Sequence, residues 1–431
     1  MTLNINNFAK IKQAEIIVDG ITVIAGENNT GKSTVGKIVF SLFNSISGIE
    51  DKILNKRKSE IFGYLVKTIR NHIIQYKNLK NTYDHDAYRL VAKIARQISE
   101  KINIQEDLNS EQIYNIIFEI LESIFTENKI EGAKELCDSI HLQIMEIINI
   151  PGYNIVLELL TRYFNEVFHG QLNSLCNSND LAILNLNVNK KNIELNFNDN
   201  QCTNFKPEIL LLHKAIYIDN PFIIDELNYQ DEPNDIREHF LKNLLSSTNE
   251  DVMDGIFETV LAKEKLHEIN QALQLIVKGK ISIKDDDFCL EQEEFSQPLF
   301  FNNLSTGIKS FIIIKLLIEK ALIKEKDVII LDEPEIHLHP SWQIAYAELI
   351  VLLQKKFDLS IIVTTHSPYF LDAINLYSQK HEIDKRVNFY LSHMEDKCVE
   401  MKNVGSDIDL IYQKMTTPIS ILETLRYEIN N

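Results

Sequence analysis

Nine residues near the N-terminus, Gly26-Glu27-Asn28-Asn29-Thr30-Gly31-Lys32-Ser33-Thr34, set glycine, lysine and hydroxyl groups at the spacing G-x-x-x-x-G-K-[ST]. A loop of this kind turns backbone N–H groups inward around a phosphate. Lys32 adds a point charge at the β/γ-phosphates, the following helix adds its positive end, and the Ser33 hydroxyl is a Mg²⁺ ligand. The chemistry expected is binding of ATP with Mg²⁺, with Gly26, Asn28, Asn29, Thr30, Gly31, Lys32, Ser33 and Thr34 around the nucleotide. Both flanks fit. Ile21-Thr22-Val23-Ile24-Ala25 reads as a buried strand, and Thr34 to Phe43 has the apolar spacing of a packed helix.

Three further groups lie some 300 residues on. Val328-Ile329-Ile330-Leu331 is an apolar strand that delivers Asp332 and Glu333 at its C-terminal end, the edge where open α/β sheets bind ligands. Asp332 is placed to hold Mg²⁺ or its waters, and Glu333 to polarise an attacking water. Leu304-Ser305-Thr306-Gly307-Ile308-Lys309 opens an apolar helix, and its hydroxyl, glycine backbone and helix start suit a γ-phosphate. Thr364-Thr365-His366-Ser367-Pro368 follows another strand and brings His366 to the same edge. Each feature taken alone is ordinary: exposed loop acids, a helix-start loop, a structural histidine. As a set with the phosphate loop they share one purpose, with Lys32, Glu333 and His366 as the catalytic candidates.

With these residues the chain resembles the ABC-type ATPase superfamily, in its SMC/RecF/OLD-like branch. Leu304 to Gly307 resembles the LSGG signature. DEPEIHLHP at 332–340 and TTHSPYF at 364–370 resemble the OLD-related bacterial "AAA family" ATPases, many found in phage-defence operons. The resemblance covers roughly 1–45 and 300–378. It implies that Gly26, Gly31, Lys32, Ser33, Asp332, Glu333 and His366 serve the nucleotide in cis. Ser305 and Gly307 would act in trans on ATP held by a second head, which makes the chain a homodimer or higher even oligomer. Thr306 departs from the glycine usual in the signature. Glu335-Ile336-His337-Leu338-His339-Pro340 replaces the transporter D-loop, and His337 and His339 read there as part of a dimer-contact loop rather than a metal pair. The Q-loop glutamine has several candidates, Gln75 among them. OLD proteins proper carry a Toprim nuclease after the ATPase, whereas 65 residues follow His366 here and Asp407-Ile408-Asp409 reads as surface acids. The expectation is an ATPase switch or scaffold controlling a separate effector, such as a nuclease or toxin, in anti-phage defence. The competing expectation is a RecF-like ATPase of DNA repair or DNA ends.

The elements that must position these residues follow from pattern. Apolar strands alternate with helices in the last third, which implies a parallel α/β core. The expected fold is therefore an α/β ATPase head from 1–48 and 285–431, split by a mainly helical insertion at 49–284 with a small β element at 181–197. Pro151-Gly152 and Pro221 interrupt the insertion, so long coiled-coil arms are not expected. The 431 residues carry a net charge of −18, yet residues 51–101 hold twelve Lys or Arg against five Asp or Glu, a local +7 that leaves −25 for the rest. That stretch is either a solvated helix face or a patch for nucleic acid or an acidic partner. Five scattered cysteines argue for free thiols, and with no apolar run near 20 residues the chain reads as cytoplasmic and off the membrane.

Overall fold

A computed structural model describes residues 1–77, 85–102, 108–128, 130–177, 180–227, 233–246, 268–274, 276–284, 287–405 and 407–430. These fall into two compact units, one of Met1–Ser47 with Leu160–Asn431, the other of Gly48–Leu159.

The first unit is built on an eleven-stranded sheet. Strands β1 (Thr2–Phe8) and β2 (Ile11–Ile17) alternate between buried and open positions. Strand β3 (Ile21–Gly26) is buried at every residue. β4 (Ala182–Val188), β5 (Lys191–Asn198) and β6 (Gln201–Pro207) extend β1 into an antiparallel wing. On the other side β7 (Ala215–Ile218), β11 (Val328–Asp332), β12 (Ser360–Thr365), β3 and β13 (Val387–Glu395) run parallel in that order. Strand β14 (Cys398–Gly405) joins the two parts, antiparallel to β13 and parallel to β2. Of the parallel strands, β3, β7, β11 and β12 read as nearly continuous apolar runs because both faces are covered. A separate three-stranded sheet holds β8 (Lys280–Lys284), β9 (Asp287–Glu291) and β10 (Leu299–Phe300).

The helices are α1 (Lys32–Ile46), α2 (Ile49–Lys77), α3 (His85–Lys101), α4 (Ser110–Asn128), α5 (Ala133–Asn149), α6 (Gly152–Phe168) and α7 (Ile236–Ser246), then α8 (Thr306–Glu319), α9 (Pro340–Phe357), α10 (Pro368–Lys380) and α11 (Asp409–Asn430). Helix α8 buries an unbroken run from Phe311 to Ile318, and Phe311 meets the Tyr346 ring of α9 edge-on at 4.9 Å.

The second unit is a four-helix bundle in which α2 packs on α3, α3 on α4, α4 on α5 and α5 again on α2. Ile61, Leu65, Ile69 and Ile73 repeat every four residues along α2 and are buried against Ile94, Ile98, Ile117, Leu121, Ile140 and Ile144. Such a stripe packs as a compact bundle rather than a long seam.

The segment expected as one lobe, 49–284, is therefore narrower. Residues 48–159 form the bundle, while the strands between 182 and 218 hydrogen-bond into the sheet that carries the phosphate loop. Part of that segment, including 247–267, lies outside the described residues. The free-thiol expectation also needs correction, because Cys176 is disulfide-bonded to Cys398 with the Cα atoms 6.0 Å apart. Both flank the β1–β2 turn: Leu175 N–H donates to the Ala9 carbonyl and Val399 N–H to the Lys10 carbonyl. Sequence spacing does not reveal that meeting. Cys137, Cys202 and Cys289 are free and buried. Among the described residues no single helix is long and apolar enough to cross a membrane.

Candidate functional site

Parallel register brings the expected residues to one sheet edge. Thr365 pairs with Ala25, Asp332 with Thr364 and Leu331 with Ile218, so β3, β12, β11 and β7 end together. Gly26, His366, Glu333 and Asp219 follow from those ends.

Lys32 is 4% exposed. Its Nζ donates to the carbonyls of Gly26 at 3.1 Å and Glu27 at 2.9 Å, and stands 3.3 Å from Glu333 Oε1. Ser33 Oγ donates to Asp332 Oδ1 at 2.9 Å. The Thr364 hydroxyl donates to that same oxygen and accepts the Glu333 N–H at 3.0 Å. Tyr217 Oη donates to the other carboxylate oxygen, Oδ2, at 2.6 Å. Asn29 (φ 66°) and Glu333 (φ 50°) both adopt left-handed backbone, a conformation that asparagine accepts readily and glutamate less so.

His366 is half-exposed, and its Nδ1 lies 3.6 Å from Glu333 Oε1 and 3.6 Å from Glu335 Oε1. Glu335 is 2% exposed. It accepts the Thr365 hydroxyl and, at 3.0 Å, the His366 N–H, while its other oxygen is buried without a hydrogen-bond partner among the described residues. Burial raises its pKa above the ordinary carboxylate value. Glu335 thus fixes the backbone on which His366 stands.

A cavity of about 320 Å³ opens over the loop, lined by Asn29 to Thr34, Glu333, Lys10, Phe168 and His169 among others. Three lysines, Lys10, Lys32 and Lys37, line it. For Lys37, burial and then the neighbouring Arg237 charge lower the pKa. The loop is tied down from both sides: Thr30 Oγ1 donates to the Glu27 carbonyl at 2.8 Å, Ser392 Oγ to the Thr30 carbonyl, and Lys10 Nζ to Asn29 Oδ1.

Ser305 and Gly307 do not line this cavity. Ser305 is exposed at the N-cap of α8, and its side chain makes no capping bond. Gly307 is buried where a Cβ would stand 3.0 Å from the His337 carbonyl oxygen and 3.2 Å from the Trp342 ring. That tight seat joins the start of α8 to the loop after Glu333. His339 Nδ1 caps α9 by accepting the Ser341 N–H at 3.3 Å, and His337 lies edge-on to Phe222. Both histidines are thus engaged in local contacts. Gln75 is exposed on α2 in the bundle, and Asp407 and Asp409 are exposed.

Sequence reasoning passed over Tyr217, Thr364 and Glu335. Thr364 and Glu335 sit inside motifs already singled out, close to a named candidate, so position was their signal. Tyr217 offered none, since a tyrosine in a short apolar strand reads as core.

Three comparisons bear on this geometry. A family model described as AAA ATPase domain matches residues 1–371. The Septu protein PtuA of Bacillus thuringiensis is 35% identical over 104 residues, a match spanning 21% of this chain and 26% of that protein's length. Among solved structures, an SMC head bound to the C-winged helix domain of ScpA is similar at a TM-score of 0.44 and 10% identity, over 95% of this chain and 98% of that one. The SMC head domain from Thermotoga maritima gives 0.39 and 11%, over 94% and 98%.

Proposed function

Because the chain belongs to the AAA ATPase domain family, we propose that it is an ATP-binding and ATP-hydrolysing switch or scaffold whose two-head closure controls a separate effector. The observation that carries this reading is the Ser33–Asp332 hydrogen bond at 2.9 Å beside the Lys32–Glu333 contact at 3.3 Å. It joins a phosphate loop to paired acids some 300 residues away. Ser33 gives its hydrogen to Asp332, which leaves oxygen lone pairs free, and a hydroxyl with a carboxylate is the hard donor set that Mg²⁺ prefers. Bound there, Mg²⁺ would screen the phosphate charge.

Lys32 exchanges its carbonyl and Glu333 contacts for phosphate oxygens. Glu333, released, faces the γ-phosphate and takes a proton from the attacking water. His366, seated by Glu335, donates to the γ-phosphate and registers its departure. Ser305 and Gly307, away from the cis cavity, serve the nucleotide of a second copy. The resemblance of DEPEIHLHP and TTHSPYF to OLD-related ATPases supports anti-phage defence as the setting and the cytoplasm as the place. Co-purification with the products of neighbouring genes would identify the effector.

The first test is nucleotide titration of purified protein with a fluorescent ATP analogue and Mg²⁺. Lys32→Ala is expected to weaken binding by roughly 10- to 100-fold, since one charge-assisted contact of about 1.5–3 kcal/mol is removed. Its fold should be retained, as the ammonium serves the ligand. Equal affinity in variant and parent would exclude this loop as the site.

A second reading, a RecF-like ATPase on DNA, is favoured by one observation. Lys67, Arg70, Arg89, Lys93 and Arg96 are exposed on α2 and α3, whereas Arg57 is engaged in donating to the Ile150 carbonyl at 2.6 Å. Reversing Lys67, Arg70, Lys93 and Arg96 to Glu is expected to weaken binding to a DNA duplex. The slope of log affinity against log salt should flatten by about one for each phosphate that is no longer neutralised. Superimposable salt series for variant and parent would leave these side chains as a solvated face.

A further inference from the structure

We infer that Tyr217, clamped by Arg237, is a positioning residue for Asp332 that sets how readily the site accepts Mg²⁺; this rests on the ATPase reading above and names a part of its machinery. Asp332 has its two oxygens served from different places. Oδ1 takes the hydroxyls of Ser33 and Thr364, which come from the phosphate loop and the adjacent strand. Oδ2 takes the Tyr217 hydroxyl at 2.6 Å, from β7 on the opposite side of β11. The carboxylate is gripped from both flanks of its own strand, so its rotation about χ2 is blocked before any ligand arrives.

Tyr217 is itself held on every side. It is 1% exposed. The Arg237 guanidinium lies 4.6 Å from the ring centroid, and Phe40 of α1 meets the ring edge-on at 5.9 Å. Arg237 is locked in turn: Asp235 takes Nε at 3.0 Å and Nη2 at 2.6 Å, and Asp219 takes Nη1 at 2.7 Å. Two carboxylates on one buried guanidinium make a rigid fork, which a lysine does not reproduce. Gly36 completes the enclosure. A Cβ there would stand 2.8 Å from Ile330 Cγ2 and 3.2 Å from Tyr217 Cε2, so α1 passes directly over the ring. A hydroxyl held this way does not follow Asp332; Asp332 must conform to it. Partners of this kind, one step behind a metal-binding group, tune metal affinity through orientation.

The test separates metal loading from nucleotide binding. A fluorescent, non-hydrolysable ATP analogue is titrated into parent, Tyr217→Phe and Arg237→Lys, first in EDTA and then across a Mg²⁺ series, with unfolding midpoints recorded. Tyr217→Phe keeps the ring and removes the one hydrogen bond. It is expected to match the parent in EDTA and to need roughly 10-fold more Mg²⁺ for half of the metal-dependent gain. Arg237→Lys should shift the Mg²⁺ midpoint the same way by less. A Tyr217→Phe midpoint equal to the parent's, or an affinity loss equal in EDTA and Mg²⁺, would overturn the inference. A parent that binds no nucleotide would instead overturn the ATPase reading, and the brace with it.

Discussion

Glu333→Gln is expected to lower ATP hydrolysis by roughly 10²- to 10⁴-fold, the range a positioned general base contributes, while ATP affinity holds or rises. The two halves of this result have separate causes. Glutamine keeps the shape of the side chain and its place beside the γ-phosphate, but it cannot accept the water proton at neutral pH. Affinity is retained because Lys32, Ser33 and Asp332 are untouched. It rises because Glu333 Oε1 stands 3.3 Å from Lys32 Nζ, so the carboxylate competes with the phosphates for that ammonium. Removing its charge also removes repulsion of an incoming anion. Single-turnover hydrolysis and analogue titration on the same preparation measure both. A variant that hydrolyses ATP at the parent rate would mean that the water is activated elsewhere. His366 is then the group to examine, as its Nδ1 is 3.6 Å from the same oxygen.

Local pattern made the candidate site legible where one strand or loop carries its residues together. Gly26 to Thr34, the acids after Leu331 and the histidine after Thr365 each follow an apolar strand, and parallel register then places them at one edge. The residues that hold those groups in place were less visible, because their partners are remote in sequence. Tyr217 donates to an acid 115 positions away, and nothing near it in the chain signals that bond. The same holds for the sheet. β4 and β5 alternate clearly enough to be read as a small β element, but the pairing of β4 with β1 is a tertiary fact, and it puts the end of the helical unit at 159 rather than 284. Strands β13 and β14 mix polar residues such as Asn388, His393 and Lys402 with apolar ones, which hid them from a reading that sought apolar runs. Cys176 and Cys398 met for the same reason, through two segments that share the β1–β2 turn.

Ser305→Arg is expected to bring hydrolysis down to the level of an isolated head, a drop of about 100-fold if the trans contact supplies one oxyanion-type donor, with nucleotide binding nearly unchanged. Ser305 suits a contact made by a second copy. It is exposed, its hydroxyl is not spent on capping α8, and the helix behind it offers unpaired N–H groups to an anion. Gly307 holds that helix start against the His337 carbonyl and Trp342, so the γ-phosphate of one copy would be read by a rigid surface of the other. Arginine there adds bulk across the interface, while the cis cavity, which Ser305 does not line, keeps its ligand. Closure can be followed directly by cysteines placed at Asn28 and Asn302, both exposed near the two faces concerned. In the Glu333→Gln background, ATP should drive crosslinking between copies from one position to the other, and adding Ser305→Arg should abolish it. Mass alone is a poor measure, since copies that associate through other surfaces would be the same size open or closed. Crosslinking that ignores ATP, together with full hydrolysis by Ser305→Arg, would leave each head working alone, and the switch would have to reside within one chain.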